Sequence, residues 1–278
     1  MKPAWLNKKI NLKDCSGTKQ VLRNLGVETV CEQAMCPNIS ECFLRKTATF
    51  LILGRNCTRM CSFCNIQKVK PLPVDKDEPK RVVRAVQELG LKHVVITSVT
   101  RDDLVDGGAG IFADTVNQIK RNLPEVTVEL LIPDFGFSLV SLKIVAASRP
   151  QIIAHNLETV PSLYKFVRQG ADYARSLDLL RSLKEISPEL KTKSGLMLGL
   201  GENSDEVLAV MNDLRSVECD LLSIGQYLAP SQKHYPVKDY ISPELFKDYK
   251  EKAKKSGFLH VESGPYVRSS YMAAEYLS

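Results

Sequence analysis

The chain has 278 residues, of which 44% are hydrophobic and 25% charged, proportions close to those of an average globular protein. Its apolar runs are shorter than the roughly 18 residues that a membrane span needs, and Met1 to Leu12 lacks the apolar core of a secretory signal, so we expect a cytoplasmic protein without a membrane partner. The net charge of +6 is spread along the chain, and we find no added basic domain that would indicate nucleic-acid binding.

The first 47 residues show only weak periodicity. A short helix is predicted near Gly17 to Leu25, and three cysteines follow in a segment that contains Pro37 and that we predict to be a loop: Cys31, Cys36 and Cys42. We interpret this region as an extension of the main domain.

From Ala48 onward, predicted strands and helices alternate. Ala48 to Gly54 is a continuous apolar run closed by glycine, which predicts a buried strand. Further strands are predicted at His93–Val99, Val126–Ile132, Gln151–Asn156, Lys193–Leu198, Leu221–Tyr227 and Leu259–Glu262, with helices between them. This alternation implies a parallel sheet in the α/β class, and the apolar strands imply burial on both faces, as in a full or partial β/α barrel.

Polar or glycine-rich segments follow these strands at their C-terminal ends, where β/α folds gather functional groups. They are Cys57–Cys64, Thr97–Asp103 with Gly107 and Gly108, Pro133–Asp134, Asn156–Glu158, Gly199–Glu202 and Gln226–Ser231. We therefore expect the active site at this end of the sheet.

Six of the eight cysteines form two triads, spaced Cys-x4-Cys-x5-Cys and Cys-x3-Cys-x2-Cys. Thiolates suit zinc, copper(I) and iron–sulfur clusters. Neither triad has a histidine nearby, which disfavours zinc, and a thioredoxin-like role for Cys61 and Cys64 would leave Cys57 without a purpose. Each triad leaves one ligand position open, and we expect the two positions to be filled differently.

The second triad is Cys57, Cys61 and Cys64, with Phe63 before its last cysteine. It resembles the signature of radical S-adenosylmethionine enzymes, in which three thiolates hold three irons of a [4Fe–4S] cluster and S-adenosylmethionine binds the fourth. The resemblance implies that an electron from this cluster cleaves S-adenosylmethionine and yields a 5′-deoxyadenosyl radical.

Over nearly its whole length the chain resembles the lipoyl synthase family. The matching phrases include Val30–Cys42, Cys57–Cys64, His155–Val160, Thr192–Glu202 and Arg268–Tyr271. The resemblance implies a partial (β/α)6-type barrel over residues 48–264, with an extension at 1–47 and a tail at 265–278. It also implies an enzyme that inserts two sulfur atoms, at C6 and C8 of an octanoyl chain on a carrier-protein lysine.

The same resemblance implies ligands and partners. Cys31, Cys36 and Cys42 would hold an auxiliary [4Fe–4S] cluster that donates the sulfur, with Ser270 of the Arg-Ser-Ser-Tyr motif as its fourth protein ligand. The residues expected to contact S-adenosylmethionine are Asn156, Glu158, Arg168 and Asp102. Expected partners are the octanoylated carrier protein, an electron donor such as ferredoxin or flavodoxin, and an iron–sulfur cluster carrier.

Other interpretations stay open at this point. A biotin synthase-like or methylthiotransferase-like sulfur inserter would keep the radical chemistry and change the substrate, although the position of the first triad argues against both. An iron–sulfur electron-transfer protein or a structural zinc protein would lack catalysis altogether. From the residues alone, Ser270 would cap a short helix through Ala273 and Leu277.

Overall fold

The computed structural model describes residues 2–8, 15–45 and 47–277. The α-helices are α1 (Ser16–Leu25), α2 (Val30–Gln33), α3 (Ile39–Leu44), α4 (Glu78–Leu89), α5 (Ala109–Asn122), α6 (Leu139–Ala147), α7 (Tyr164–Val167), α8 (Tyr173–Ile186), α9 (Ser204–Ser216) and α10 (Pro243–Lys255). The strands are β1 (Glu28–Thr29), β2 (Thr49–Ile52), β3 (His93–Ser98), β4 (Thr127–Leu131), β5 (Ile152–Ala154), β6 (Lys191–Leu198), β7 (Leu221–Gln226) and β8 (His260–Gly264). None of the described helices has the length and apolar character of a membrane span.

The described strands form one eight-stranded sheet in which they stand in chain order. β1 pairs antiparallel with β2, whereas the pairs β2 with β3, β3 with β4, β6 with β7 and β7 with β8 are parallel. A sequential parallel order is that of β/α barrels, since a doubly wound sheet reverses its strand order at a switch point. The predicted α/β fold class is therefore confirmed.

The chain divides into two compact units. The N-terminal unit comprises the described residues within Lys9–Thr58 and Asn65–Ile153, and the C-terminal unit comprises those within Met1–Lys8, Arg59–Cys64 and Ala154–Ser278. The second cysteine triad is thus divided: Cys57 belongs to the N-terminal unit, and Cys61 and Cys64 belong to the C-terminal unit.

Each unit has an apolar core of strand and helix side chains. In the N-terminal unit, fully buried residues of β2 to β4 and of the inner helix faces include Phe50, Ile96, Leu130, Phe112 and Ile119. In the C-terminal unit they include Ile224, Leu222, Leu179, Val210 and Leu183. Burial of this kind stabilises by about 1.5–3 kcal/mol per large side chain. These cores support the segments at the strand ends, where functional groups of β/α folds lie.

Helix caps fix where the outer helices of the C-terminal unit begin. Asn203 accepts a hydrogen bond from the Glu206 N–H at 3.0 Å, and the Glu206 side chain accepts from the Asn203 N–H at 2.9 Å, so that α9 starts with a capping box. At the start of α10, the Ser242 side chain accepts a hydrogen bond from the Leu245 N–H at 3.2 Å, with Pro243 in the first turn. Each cap stops the chain from extending the helix into the preceding strand-end loop.

The prediction that the whole first triad lies in a loop is wrong. Cys31 lies in α2 and Cys42 in α3, with Cys36 between them. The Thr29 side chain accepts a hydrogen bond from the Glu32 N–H, which begins α2. Helices of four and six residues are too short to show a 3.6-residue period, and for that reason the sequence pattern did not reveal them.

Candidate active site

The first triad is gathered around a buried thiol. Cys31 is only 7% exposed. Burial, together with the charges that neighbouring Cys36 and Cys42 would carry as thiolates, raises the pKa of Cys31 to about 12, although hydrogen bonds from Thr49 lower it. The Cys31 thiol thus lies within electrostatic reach of both other thiols of the triad. A metal that binds there must displace protons.

Short-range hydrogen bonds shape this segment. The Cys36 N–H donates to the Cys31 carbonyl at 3.0 Å, and the Thr47 N–H donates to the Cys42 carbonyl at 2.8 Å. In addition, the Asn65 side chain donates to the Gln33 carbonyl at 2.8 Å. Hydrogen bonds within the immediate sequence and one from Asn65 therefore hold the segment of this triad.

The donor set fits an iron–sulfur cluster. Within the described ranges, no three His, Cys, Asp or Glu side chains form a group suited to a single metal ion. The thiolates of a [4Fe–4S] cluster bind different irons, so they stand farther apart than the ligands of one ion. Three grouped thiols are the soft ligands that such clusters take.

In the second triad, Cys57 follows β2 and is fixed within the N-terminal unit. Its N–H donates to the Gln67 carbonyl at 2.8 Å, and its sulfur accepts from the Thr100 N–H at 3.3 Å. Thr58 donates through its hydroxyl to the Asp102 carboxylate at 2.7 Å. The structure thus places Asp102, a predicted cofactor contact, against the residue next to Cys57.

The segment Arg59–Cys64, with the other two cysteines, is held by contacts in the C-terminal unit. The Ser62 N–H donates to the Val167 carbonyl at 3.0 Å, and the Ser62 carbonyl accepts from the Tyr235 N–H at 3.0 Å. Phe63 packs against a buried cluster of Val167, Leu200 and Tyr227. Loops that follow three different strands therefore position Cys61 and Cys64.

Asn156 and Glu158, both predicted as cofactor contacts, meet at the end of β5. The Asn156 amide donates to the Glu158 carboxylate at 3.0 Å. Glu158 has a positive φ of 67°, and its backbone bonds to β6, through its N–H to Gly195 O at 2.9 Å and through its carbonyl to Met197 N at 2.8 Å. Burial raises the pKa of Glu158, while Arg168 and Asn156 lower it. The positive φ of Glu158 strains its backbone, and strained backbone of this kind is typical of functional sites.

Arg168, also a predicted cofactor contact, is held by hydrogen bonds to neighbouring polar side chains. Its guanidinium donates to the Tyr164 hydroxyl and the Ser176 hydroxyl, each at 3.0 Å, and lies 3.3 Å from His155 Nε2. Burial lowers the pKa of Arg168, but charges on Tyr164, Glu158 and Cys61 raise it above its ordinary value. The Val167 carbonyl, next to Arg168, accepts the N–H of Ser62, next to Cys61, so this arginine lies near a cysteine of the second triad.

Ser270 belongs to a turn in the C-terminal tail. The Tyr271 N–H donates to the Arg268 carbonyl at 2.9 Å, and a short 3-10 helix follows at Ala273–Leu277. The neighbouring Ser269 donates to Asn156 Oδ1 at 3.2 Å. Sequence reasoning did not identify Tyr164 or Ser176, and it did not predict the contact of Ser269 with Asn156. For Ser269 the only signal was its place in the Arg-Ser-Ser-Tyr phrase.

Comparison with known proteins is unambiguous about kinship. The sequence model of the radical SAM superfamily matches residues 51–214. A protein named lipoyl synthase from Geobacter metallireducens is 59% identical over 275 residues, 99% of this chain and 97% of that protein. Another of the same name from Caldanaerobacter subterraneus is 53% identical over 272 residues, 98% of this chain and 95% of that protein.

Solved structures agree in fold. The match to a crystal structure of methylornithine synthase spans 90% of this chain and 84% of that protein's chain, with a TM-score of 0.59 and 13% sequence identity. The FeFe-hydrogenase maturase HydG covers 97% of this chain and 75% of its own, with a TM-score of 0.58 at 14% identity. At such identities the likeness concerns the fold alone.

Proposed function

The chain belongs to the lipoyl synthase family of the radical SAM superfamily, and from that premise we propose how its residues carry out the reaction. The enzyme inserts two sulfur atoms, at C6 and C8 of an octanoyl chain on a carrier-protein lysine, and so forms the lipoyl cofactor. Two [4Fe–4S] clusters and S-adenosylmethionine are its cofactors. When bound, they supply a carbon-centred radical that removes hydrogen from unactivated C–H bonds, and the sulfur that takes its place.

Cys57, Cys61 and Cys64 hold the cluster that binds S-adenosylmethionine. The observation that carries this assignment is the place of Arg168. The Val167 carbonyl beside it accepts the N–H of Ser62, the residue after Cys61, at 3.0 Å, and the Tyr164 and Ser176 hydroxyls accept hydrogen bonds from its guanidinium. A guanidinium forms strong charge-assisted hydrogen bonds with a carboxylate. Arg168 is therefore suited to orient the carboxylate of S-adenosylmethionine beside the cysteine ligands.

Asn156 and Glu158 bind the ribose and amino groups of the same cofactor. An amide and a carboxylate that are already hydrogen-bonded to each other at 3.0 Å are pre-oriented for hydroxyl and ammonium donors. Asp102 is a further contact with the cofactor. Its carboxylate accepts a hydrogen bond from the hydroxyl of Thr58, the residue after Cys57. These side chains fix the cofactor before the substrate arrives.

Cys31, Cys36 and Cys42 hold the auxiliary cluster, with Ser270 as its fourth protein ligand. The three grouped thiols and the Arg-Ser-Ser-Tyr phrase support this assignment. A serine oxygen is a hard ligand among soft thiolates, so the iron that it holds is the one most easily shed. A cluster that is consumed as a reagent needs such a weak point.

The segments of the chain divide the two tasks, and the reaction needs a reducing compartment and two protein partners. The extension at 1–47 and the tail at 265–278 provide the auxiliary ligands, and residues 48–264 provide the radical site. Cluster-binding thiols need a reducing compartment, which supports a place in the cytoplasm. An electron donor such as ferredoxin or flavodoxin starts each turnover, and an iron–sulfur cluster carrier rebuilds the consumed cluster.

Anaerobic turnover tests the proposal. The reconstituted enzyme is incubated with an octanoyl-lysine peptide, S-adenosylmethionine and a strong reductant, and the peptide is analysed by mass spectrometry. We expect addition of two sulfur atoms and formation of 5′-deoxyadenosine. An unchanged peptide, or bound zinc without sulfide in the reconstituted protein, would contradict the proposed function.

A further inference from the structure

The tail touches the proposed cofactor pocket through Ser269. Its hydroxyl donates to Asn156 Oδ1 at 3.2 Å, while Asn156 Nδ2 donates to Glu158 at 3.0 Å. The amide nitrogen of Asn156 therefore faces Glu158 and its oxygen faces Ser269. Two neighbours, one of them in the tail, thus fix the orientation of the Asn156 amide.

Neighbouring residues fix the position of the tail next to Ser269. On β7, a Cβ added to Gly225 would collide with the Val267 carbonyl, so the absence of a side chain lets the tail cross the strand. Val267 is itself buried, and the Arg268 guanidinium donates to the Gln226 carbonyl at 3.3 Å. The turn that begins at Arg268 therefore starts from a fixed point.

The far end of the tail is also anchored. Tyr276 is 2% exposed, with the buried Lys193 ammonium 3.7 Å from its ring centroid and the His260 ring 4.5 Å away. Ala273, between the turn and Tyr276, is fully buried. The turn with Ser269 and Ser270 is consequently held between two anchors, and a shift of the turn moves both serines together.

We propose that Ser269 is a positioning residue that couples the C-terminal tail to S-adenosylmethionine binding. Ser269 holds Asn156 in the orientation that the cofactor requires, and Ser270 serves the auxiliary cluster from the same turn. Binding of S-adenosylmethionine therefore steadies the tail, and release of the tail weakens cofactor binding, since coupling between two sites is reciprocal. This inference rests on the proposed function, which assigns Asn156 to the cofactor and Ser270 to the cluster.

The first test is cofactor affinity. In anaerobically reconstituted enzyme, Ser269→Ala should raise the Kd for S-adenosylmethionine roughly two- to tenfold, the effect of one lost hydrogen bond. Ser269→Thr keeps a hydroxyl and should restore near-normal affinity. Ser263→Ala is the matched control, because it removes a comparable bond, from Ser263 Oγ to the Phe246 carbonyl at 2.7 Å, away from Asn156. Equal affinity of Ser269→Ala and wild type would overturn the coupling.

The second test asks whether the effect passes through Asn156. With Asn156→Ala in the background, Ser269→Ala should cause no further loss of affinity; a full, additive loss would overturn the proposal. Hydrogen exchange of residues 268–277 should slow on S-adenosylmethionine binding in wild type and much less in Ser269→Ala. An identical slowing in both proteins would also overturn it.

These results separate the coupling from the proposed function. If wild type bound no S-adenosylmethionine, or if Asn156→Ala bound it normally, the cofactor assignment itself would fall and the coupling with it. If wild type binds, Asn156→Ala weakens binding and Ser269→Ala does not, the coupling alone is wrong.

Discussion

The two cysteine triads are built in different ways. The first is shaped by hydrogen bonds between residues a few positions apart, such as Cys36 to Cys31. The second is held by bonds across the chain: the Thr58 hydroxyl donates to a carbonyl 42 residues away, and the Ser62 hydroxyl to one 105 residues away. The geometry of the first triad thus depends largely on a short segment, with added hydrogen bonds from Thr49 and Asn65, whereas that of the second depends on the folded sheet.

This difference matches the two proposed roles. A cluster that is consumed must be rebuilt after each turnover, and a locally folded segment keeps its ligands grouped while the site is empty. A cluster that initiates every turnover needs fixed surroundings, because we propose that Arg168, Asn156 and Glu158 orient S-adenosylmethionine together. Changes to each triad should therefore have distinct consequences.

The largest expected effect separates the triads directly. Cys61→Ala should lower 5′-deoxyadenosine formation by more than about 100-fold, beyond the usual effect of changes in residues that only support a metal ligand. Cys36→Ala should keep 5′-deoxyadenosine formation and lose the lipoyl product. Quantification of both products by liquid chromatography and mass spectrometry checks this. A lipoyl product from Cys36→Ala would show that the roles are wrongly assigned.

Ser270 tests the weak point of the auxiliary cluster. Ser270→Ala should retain the radical cluster and lower lipoyl yield by about 10- to 100-fold, the range seen when the surroundings of a bound metal are disturbed. Ser270→Cys should keep the auxiliary cluster but release its sulfur slowly, because all its ligands are then soft. Iron counting, Mössbauer spectra and single-turnover yields distinguish the two variants. Normal yield from Ser270→Ala would return this serine to a helix-capping role.

Gly195 tests the long-range support of the radical site. A Cβ on Gly195 would lie 2.8 Å from both Asn156 Oδ1 and Ser223 Oγ, an overpacking that typically costs about 1–3 kcal/mol. Gly195→Ala should therefore lower Tm and raise the Kd for S-adenosylmethionine about tenfold, since 1.4 kcal/mol corresponds to a factor of ten. In the control Gly17→Ala, the new Cβ meets nothing within 4 Å, so neither quantity should worsen.

A smaller effect is expected behind Arg168. Tyr164→Phe removes the hydroxyl that accepts from Arg168 at 3.0 Å and donates to the Leu157 carbonyl at 2.8 Å. The Kd for S-adenosylmethionine should rise roughly two- to tenfold. Tyr249→Phe, which loses a 3.0 Å bond to Ser204, is the matched control and should leave the Kd unchanged. Equal effects of the two substitutions would indicate general destabilisation.

The smallest effect concerns the carrier and involves neither triad. The net charge of +6 should favour an acidic carrier surface by long-range attraction, which salt screens. Raising the salt concentration should therefore weaken capture of the intact carrier more than turnover of a short octanoyl-lysine peptide. Measured KM values for both substrates across a salt series check this, and parallel changes would count against steering.

Sequence patterns predict the main strands and helices because their apolar runs are long enough to show a period. They miss α2, α3 and the two-residue strand β1 because such short elements span too few residues to show a period. At the candidate site, Asn156 and Glu158 are predictable as polar residues after a strand, whereas Arg168, at the end of α7, is predicted from its charge and the resemblance. Their contacts with the cofactor stay predictions. The contact of Ser269 with Asn156 is not predictable, since 113 residues separate them and only the strand order brings them together.

The most direct test of the division between the triads is what the enzyme can still do after one turnover. Reconstituted enzyme is allowed a single turnover on the octanoyl-lysine peptide without added iron or sulfide, desalted, and assayed again. The predicted result is that iron and sulfide are lost, that no further lipoyl peptide forms, and that S-adenosylmethionine is still cleaved to 5′-deoxyadenosine. Continued lipoyl formation, or simultaneous loss of both activities, would contradict separate reagent and initiator clusters.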